Sequence, residues 1–460
     1  MTVTTIDPAT EREIAHHETH DEAAIEAALG HAAETAKVWG RTPLDDRVAL
    51  VRGLAGVLRR DRQAVAELIT REMGKPVAEA LGEVEKSALT ADYYASKGPI
   101  HLADERVEIE SVEAWISYEP MGVLFAVMPW NFPLWQVMRF AIPAVTAGNA
   151  VVLKHSPNVT GTALAIERLF VSAGFPEHLL TTLVVAEADV PAVSRSLIED
   201  DRIAAVTLTG SNRAGAAVGA IAGGVTKKSV LELGGSDAFV VLADADVSVA
   251  AEAAARARFT NCGQSCVCAK RFIVDEQVAD NFVAQFVAHT LALTVGDPFD
   301  PATRIGPLAR QDLRDGVERQ VASSLTAGAE LLAGGRPVSG PGWFFEPTVL
   351  GRTGPGMAAF DEETFGPVAA IAVATGEDHA IELADGSPYG LALSVWSGSR
   401  DRALGVARQI TTGAAFVNAV VMSDPRLPFG GTKASGHGRE LAAAGIREFV
   451  NTRAFWVAGG

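Results

Sequence analysis

Ala204-Ala-Val-Thr-Leu208-Thr-Gly210-Ser-Asn-Arg-Ala-Gly215 is an apolar run that stops at a glycine and gives way to a helical pattern. An apolar run of this length, bounded by turn residues, reads as a strand buried on both faces. The same order of strand, turn and helix occurs twice upstream. Gly122-Val-Leu-Phe-Ala-Val127 precedes a helix over Pro133–Ala147, and Asn149-Ala-Val-Val-Leu153 precedes one from Gly161 to Ala173. Repetition of this unit predicts an α/β protein with a doubly wound parallel sheet, whose ligands gather at the carboxyl ends of the strands.

Outside this block, residues 21–95 carry helical periodicity in three runs: Asp21–Lys37, Leu44–Thr70 and Val77–Ser96. Val107–Val112 alternates like a half-buried strand, which Ala114–Tyr118 continues. A second α/β stretch spans Gly234 to Arg426 and includes Asp237–Leu242 and Arg271–Val274. No repeat, low-complexity tract or Pro/Ser-rich linker separates these parts, so closely packed domains are expected.

The chain has 460 residues, enough for two or three domains. Its 56 acidic and 39 basic residues give a net charge of −17, which argues against nucleic acid or an anionic membrane surface as partner. No signal-peptide pattern and no spanning apolar stretch is present, and three cysteines in so long a chain fit a reducing compartment. A cytoplasmic location is the expectation.

Cys266 is the strongest chemical candidate. It lies in Phe259-Thr-Asn-Cys-Gly-Gln-Ser-Cys266-Val-Cys268, among small and polar neighbours. A thiolate divides a difficult reaction by forming a covalent intermediate. Glu232, in Leu231-Glu-Leu-Gly-Gly235, ends an apolar strand and supplies a carboxylate that could activate water. Asn131, in Met128-Pro-Trp-Asn-Phe-Pro133, could donate to an oxyanion beside the Cys266 amide. The alternative for Asn131 is a cap on the following helix.

Gly210-x-x-x-x-Gly215, with Ser211, could bring backbone amides to a pyrophosphate or could be a plain strand-to-helix turn. Lys154, at a strand end, could reach phosphate or ribose oxygens. Cys262, Cys266 and Cys268 lack zinc spacing, and His16-His17-Glu18-Thr19-His20 is not H-E-x-x-H, so no metal is expected. His155 and His437 read as hydrogen-bonded structural residues.

Taken together, the motifs resemble the aldehyde dehydrogenase superfamily over nearly the whole chain. They are Glu72-Met-Gly-Lys-Pro76, Pro129–Pro133, Ala147-Gly-Asn149, Leu208-Thr-Gly-Ser211, Leu231–Gly235 and Gly263-Gln-Ser-Cys266. Glu363-Thr-Phe-Gly-Pro367, Pro428–Lys433 and Ser435-Gly-His-Gly-Arg-Glu440 follow, and Cys266 trails Glu232 by 34 residues, as in that family.

The resemblance implies a Rossmann-type cofactor domain (1–105 and 120–232), an α/β catalytic domain (233–430) and a small β oligomerisation extension (106–119 and 431–460). It implies NAD(P)-dependent oxidation of an aldehyde, with Cys266 as nucleophile, Glu232 as base and Asn131 as oxyanion donor. Trp130, Lys154, Ser156, Gly210, Ser211, Gly215, Glu363 and Phe365 become the expected cofactor contacts. Pro157 stands where NAD-preferring members often carry a glutamate, which admits NADP as well as NAD.

The segments Leu153–Val159 and Ser423-Asp-Pro-Arg426 resemble bacterial succinate-semialdehyde dehydrogenases. That likeness implies substrate contacts from Arg139, Ser423, Arg426 and Trp135, although Thr260 replaces an arginine found in several such enzymes. Arg139 could instead pair with a protein carboxylate. A homodimer or homotetramer is expected, and some relatives with C-x-C form a reversible disulfide, here Cys266–Cys268. Open alternatives are an enzyme for other aldehydes, a CoA-acylating enzyme and a cofactor-free cysteine hydrolase.

Overall fold

The structure, a computed structural model, describes residues 1–458. Five parallel strands form the first large sheet: Val123–Met128, Ala150–His155, Leu180–Leu183, Ile203–Thr209 and Lys228–Glu232. Numbered along the chain, their order across the sheet is 3-2-1-4-5. The order reverses between Val123–Met128 and Ile203–Thr209, which opens a crevice at the carboxyl ends of those strands. The Ala150–His155 strand is wholly buried, so its near-continuous Val/Leu content suits a sheet covered on both faces.

The second large sheet has seven strands. From one edge they are Glu330–Ala333, Thr348–Gly351, Val368–Ala374, Ala269–Asp275, Asp237–Val241, Ala392–Trp396 and Ala414–Val417. All pairings are parallel except the first. Phe239, Phe272, Phe282 and Phe286 fill its core, with ring centroids 4.8–5.6 Å apart between successive neighbours. These contacts hold rigid the strand that follows Cys266.

Three helices and the breaks at Asp61 and Gly74 show why local sequence folds as it does. Asp21 caps the helix Glu22–Trp39 by accepting from the Ala24 amide at 2.8 Å. The run Leu44–Thr70, expected as one helix, is two: Leu44–Arg60 and Arg62–Met73. Asp61 leaves helical geometry at φ −95°, ψ 9°, and the Arg60 guanidinium forks onto its carboxylate at 2.7 Å. Gly74 ends the second helix at φ +83°, where a Cβ would collide with Pro307 and Pro8, which explains the glycine in Glu72–Pro76.

A three-stranded antiparallel sheet stands apart, made of Glu105–Ile109, Val112–Pro120 and Val450–Ala458. The expected single strand from Val107 to Tyr118 is therefore a hairpin, turning at Ser111 with φ 60°. Its first strand is exposed along its whole length rather than half-buried. Of residues 431–460, Thr432–Lys433 pairs with Tyr389–Gly390 and Gly436–His437 pairs with Leu231–Glu232, so this stretch belongs to the body of the molecule. The histidine-rich stretch lies on the strand Arg12–Glu18, paired with Thr2–Asp7. Among the described residues no helix is long and apolar enough to cross a membrane, and no cluster of metal-ligating side chains occurs.

Candidate active site

The loop that carries Cys266 is wound tightly. Asn261, Cys262 and Gly263 have φ of 55°, 55° and 70°, three successive residues in the left-handed region. A Cβ at Gly263 would run into the Gly366 carbonyl, so only glycine fits. Side chains brace this turn from three directions. Glu79 Oε2 accepts from the Asn261 amide at 2.8 Å, and Gln264 Oε1 accepts from the Ala309 amide at 2.9 Å. Lys270, fully buried, donates to the Ser265 and Cys266 carbonyls at 3.0 Å each. The arrangement fixes the backbone on both sides of the thiol.

Asn131 follows the strand Val123–Met128 at the crevice and is tied to this loop. Its Nδ2 donates to the Gln264 carbonyl at 3.1 Å, while its own carbonyl accepts from Asn261 Nδ2 at 2.8 Å. One N–H of Asn131 remains free for a further acceptor. The capping alternative falls, since the helix Trp135–Thr146 has no side-chain cap.

Cys266, half-buried, opens on a cavity of about 300 Å³. Trp135, Arg139 and Ser423, each expected to meet the substrate, line it with Thr260 and Phe429. Burial pushes the Cys266 thiol up to about 12, against the pull of Arg139 and Lys270. Cys268 is buried beside it. Its Sγ donates to the Ser265 carbonyl at 2.9 Å and accepts from Arg258 at 2.8 Å, and all three cysteines are free.

Glu232 ends the strand Lys228–Glu232 and is buried. It is 2% exposed, and both carboxylate oxygens lack a hydrogen-bond partner. Burial holds its carboxyl well above the usual carboxylate range, and the charge of Glu440 raises it further. Gly430 packs against it so closely that a Cβ there would meet Glu232 Oε1 at 2.6 Å.

Arg139 joins these two groups. Its Nε is ion-paired with Glu440, both side chains are about 2% exposed, and its guanidinium lies 4.4 Å from the Phe429 ring centroid. The protein-carboxylate alternative for Arg139 is thus the arrangement found: the expected clamp for a substrate carboxylate is already occupied. Arg426 departs further from expectation. It forks onto Asp424 at 2.6–2.8 Å, is 75% exposed and does not line the cavity.

On the opposite side lie the expected nucleotide contacts. Gly210 and Ser211 end the strand Ile203–Thr209, and Ser211 Oγ caps the helix Asn212–Gly224 by accepting from Ala214 at 3.3 Å. Gly215 lets this helix press on Leu233, where a Cβ would clash. Lys154 is buried at its strand's end with no carboxylate within ion-pair distance among the described residues, and burial lowers its ammonium to about 8. Ser156 Oγ donates to Asn158 Oδ1 at 2.7 Å. Trp130 meets Phe365 edge-on at 5.6 Å. Glu363 accepts from the Gly235 amide at 2.9 Å and sits 3.8 Å from Lys270. An orphaned buried cation, a capped helix N-terminus and two aromatic faces suit a dinucleotide. His155 is structural: its Nε2 lies 2.8 Å from the Pro133 carbonyl and its Nδ1 accepts from the Ser156 amide. His437 contacts Ser229 Oγ at 3.1 Å.

Three residues escaped the sequence reading: Lys270, Glu440 and Lys86. Lys86 lines the cavity from the helix Val77–His101, together with Glu79, Gly82 and Glu83. The signal was available, because 79, 82, 83 and 86 follow the i, i+3, i+4, i+7 spacing of one helix face, and Glu83 falls among buried apolar neighbours.

The aldehyde dehydrogenase family model matches residues 1–455. A succinate semialdehyde dehydrogenase using NAD(P)+ from Escherichia coli is 48% identical over 432 residues, covering 94% of this chain and 93% of the relative. A succinate-semialdehyde dehydrogenase using NADP(+) from Mycobacterium leprae is 43% identical over 461 residues, with 100% of both chains covered. The crystal structure of succinic semialdehyde dehydrogenase from Streptococcus pyogenes, in complex with NADP+, superposes with a TM-score of 0.96 at 37% identity, covering 99% of this chain and 100% of that one.

Proposed function

Since the chain belongs to the aldehyde dehydrogenase family, we propose that it oxidises succinate semialdehyde to succinate, with Cys266 as nucleophile and NADP or NAD as hydride acceptor. The observation that carries this reading is the shared Gln264 carbonyl, which ties Asn131 to the Cys266 loop at the crevice between the two sheets. The names of the relatives support the substrate, and Ser423 and Lys86 give the cavity polar, cationic character.

The chemistry follows from the chain's own groups. The Cys266 sulfur bonds to the aldehyde carbon as the thiol loses its proton. The free N–H of Asn131 and the Cys266 amide hold the resulting oxyanion. Bound nicotinamide supplies a hydride acceptor, so the carbon is oxidised to a thioester on Cys266. Water then adds to that carbonyl, the C–S bond breaks, and the thiol is regenerated. Glu232 takes the proton of that water; a carboxyl raised by burial is the better base near neutral pH.

For the nucleotide, Lys154, Ser156, Gly210, Ser211 and Gly215 would hold the phosphates and ribose, with Trp130, Glu363 and Phe365 around the nicotinamide end. Lys154 without a carboxylate partner, and Pro157 three residues later, favour acceptance of a 2′-phosphate. The proposed domains are 1–105 with 120–232 for the nucleotide and 233–430 for catalysis. The three-stranded sheet, where Trp456 is 64% exposed, supports assembly as a homodimer or homotetramer, in the cytoplasm.

The test is nucleotide reduction with succinate semialdehyde, glutarate semialdehyde and uncharged aldehydes, using each nucleotide and no CoA. Reduction with succinate semialdehyde at the highest kcat/KM is expected. No reduction without CoA, or ester turnover without nucleotide alongside failure to reduce either nucleotide, would displace the reading.

A further inference from the structure

Four cationic side chains face or approach the Cys266 cavity; two are already committed and a third lies in solvent. Arg139 is bound to Glu440, and Lys270 is held by backbone carbonyls and Glu363. Arg256 lies at the rim, exposed, where water screens an ion pair. Lys86 is different. Its side chain is largely buried, yet among the described residues it has no carboxylate within 4 Å.

The two carboxylates nearest it in charge are themselves taken. Glu83 is paired with Lys75 and also accepts from the Leu134 and Trp135 amides at 2.9 Å. Asp424 is forked by Arg426. What Lys86 touches is neutral: it donates to Ser423 Oγ at 2.6 Å and sits 4.4 Å from the Trp135 ring centroid. An ammonium carries three N–H bonds, and one is spent here. A buried cation without its counter-ion is costly unless a ligand supplies the missing charge.

We infer that Lys86, together with the Ser423 hydroxyl, binds the far carboxylate of an ω-carboxy aldehyde and so makes this cavity select a charged substrate. Trp135 would shield the pair from water while its ring face steadies the ammonium. Burial, together with the charge of Arg139, lowers Lys86 to about 8, and a bound carboxylate would raise it again. The inference rests on the aldehyde oxidation proposed above and names the group that sets its substrate class.

The experiment compares kcat/KM for succinate semialdehyde with that for pentanal, in the wild type and in Lys86→Met, Lys86→Gln and Lys86→Arg. The wild type is expected to favour the charged aldehyde. In Lys86→Met that preference should fall about 100-fold, mostly through KM, since the interaction lost is a charge-assisted one in a desolvated site. Lys86→Arg should restore most of it. Lys86→Gln, which can still donate to Ser423, covers the case in which the methionine variant does not fold.

A wild type that prefers the charged aldehyde, with Met or Gln variants that keep the preference, would overturn the role of Lys86 and leave the proposed function standing. A wild type without preference would sink both the carboxylate site and succinate semialdehyde as substrate. Equal losses for both aldehydes would make Lys86 a structural residue and overturn the inference.

Discussion

The Cys266 loop has two sides, and they are built on opposite rules. Toward the protein interior the charges that brace the loop have partners: Lys75 is paired with Glu83 over the Phe132 ring at 3.8 Å, and Arg258 donates to the carbonyls of Thr364, Gly366 and Ala269. Toward the cavity and the crevice, where Arg139 is still paired, several other polar groups are left without partners. Both oxygens of Glu232, Asn131 Oδ1 and Gln136 Oε1 are buried and unbonded, and Lys86 has no counter-ion. Buried polar groups are nearly always satisfied, so a cluster of exceptions marks where ligands and reacting atoms complete the bonding. The matched side holds the loop; the unmatched side does the chemistry.

If that division is right, removing a group on the unmatched side should cost activity and little stability. Cys266→Ala is expected to lower turnover by about 10⁴-fold or more, with an unchanged circular dichroism spectrum. Residual turnover near wild type would place the nucleophile elsewhere. Glu232→Gln should slow steady-state turnover by about 10²–10⁴-fold. It should leave one equivalent of reduced nucleotide in the first turnover, because hydride departs before water is needed. Loss of that burst would mean that Glu232 acts earlier.

The matched side should behave in the reverse manner. Lys75→Met breaks a fully buried pair and is expected to cost about 3–5 kcal/mol in denaturant unfolding. Lys86→Met, which strands no partner charge, should stay within about 1 kcal/mol of wild type. Similar losses for the two lysines would erase the contrast between the sides.

Two pH effects are smaller. With its thiol at about 12, Cys266 in the free enzyme should react with iodoacetamide about tenfold faster per pH unit between pH 7 and 10, the thiolate being the reactive form. A plateau beginning near pH 7 would show a thiolate already stabilised. Lys154 titrates at about 8 when folded, against an ordinary 10.5. Between those values the unfolded chain binds more protons, so this residue's penalty on stability shrinks as pH rises. Lys154→Met should flatten that rise, as read from unfolding at pH 8 and pH 10.

The strands Val123–Met128 and Ile203–Thr209 were legible because their apolar runs end at a proline and a glycine, whereas Leu180–Leu183, four residues long and half threonine, gave no such signal. The family was legible from motifs in order, and so was the aldehyde-oxidising class. What sequence concealed was pairing across long separations. Arg139 and Glu440 lie 301 positions apart in the chain, and no local pattern announces that one neutralises the other. Arg426, two residues from Asp424, makes a short-range fork that uses up the guanidinium. The hairpin at Ser111 was read as one strand because a non-glycine residue takes the positive φ at its turn.

The Gln264 carbonyl offers its oxygen to two side-chain amides, one from the distant Asn131 and one from Asn261 in its own loop. A retreat of the loop would orphan both buried donors at once. The sulfur accordingly keeps a constant address whether or not an aldehyde has arrived. Ordering of the nucleophile is completed when the polypeptide folds, so encounter with a small, flexible substrate need not spend binding energy on assembling its attacker.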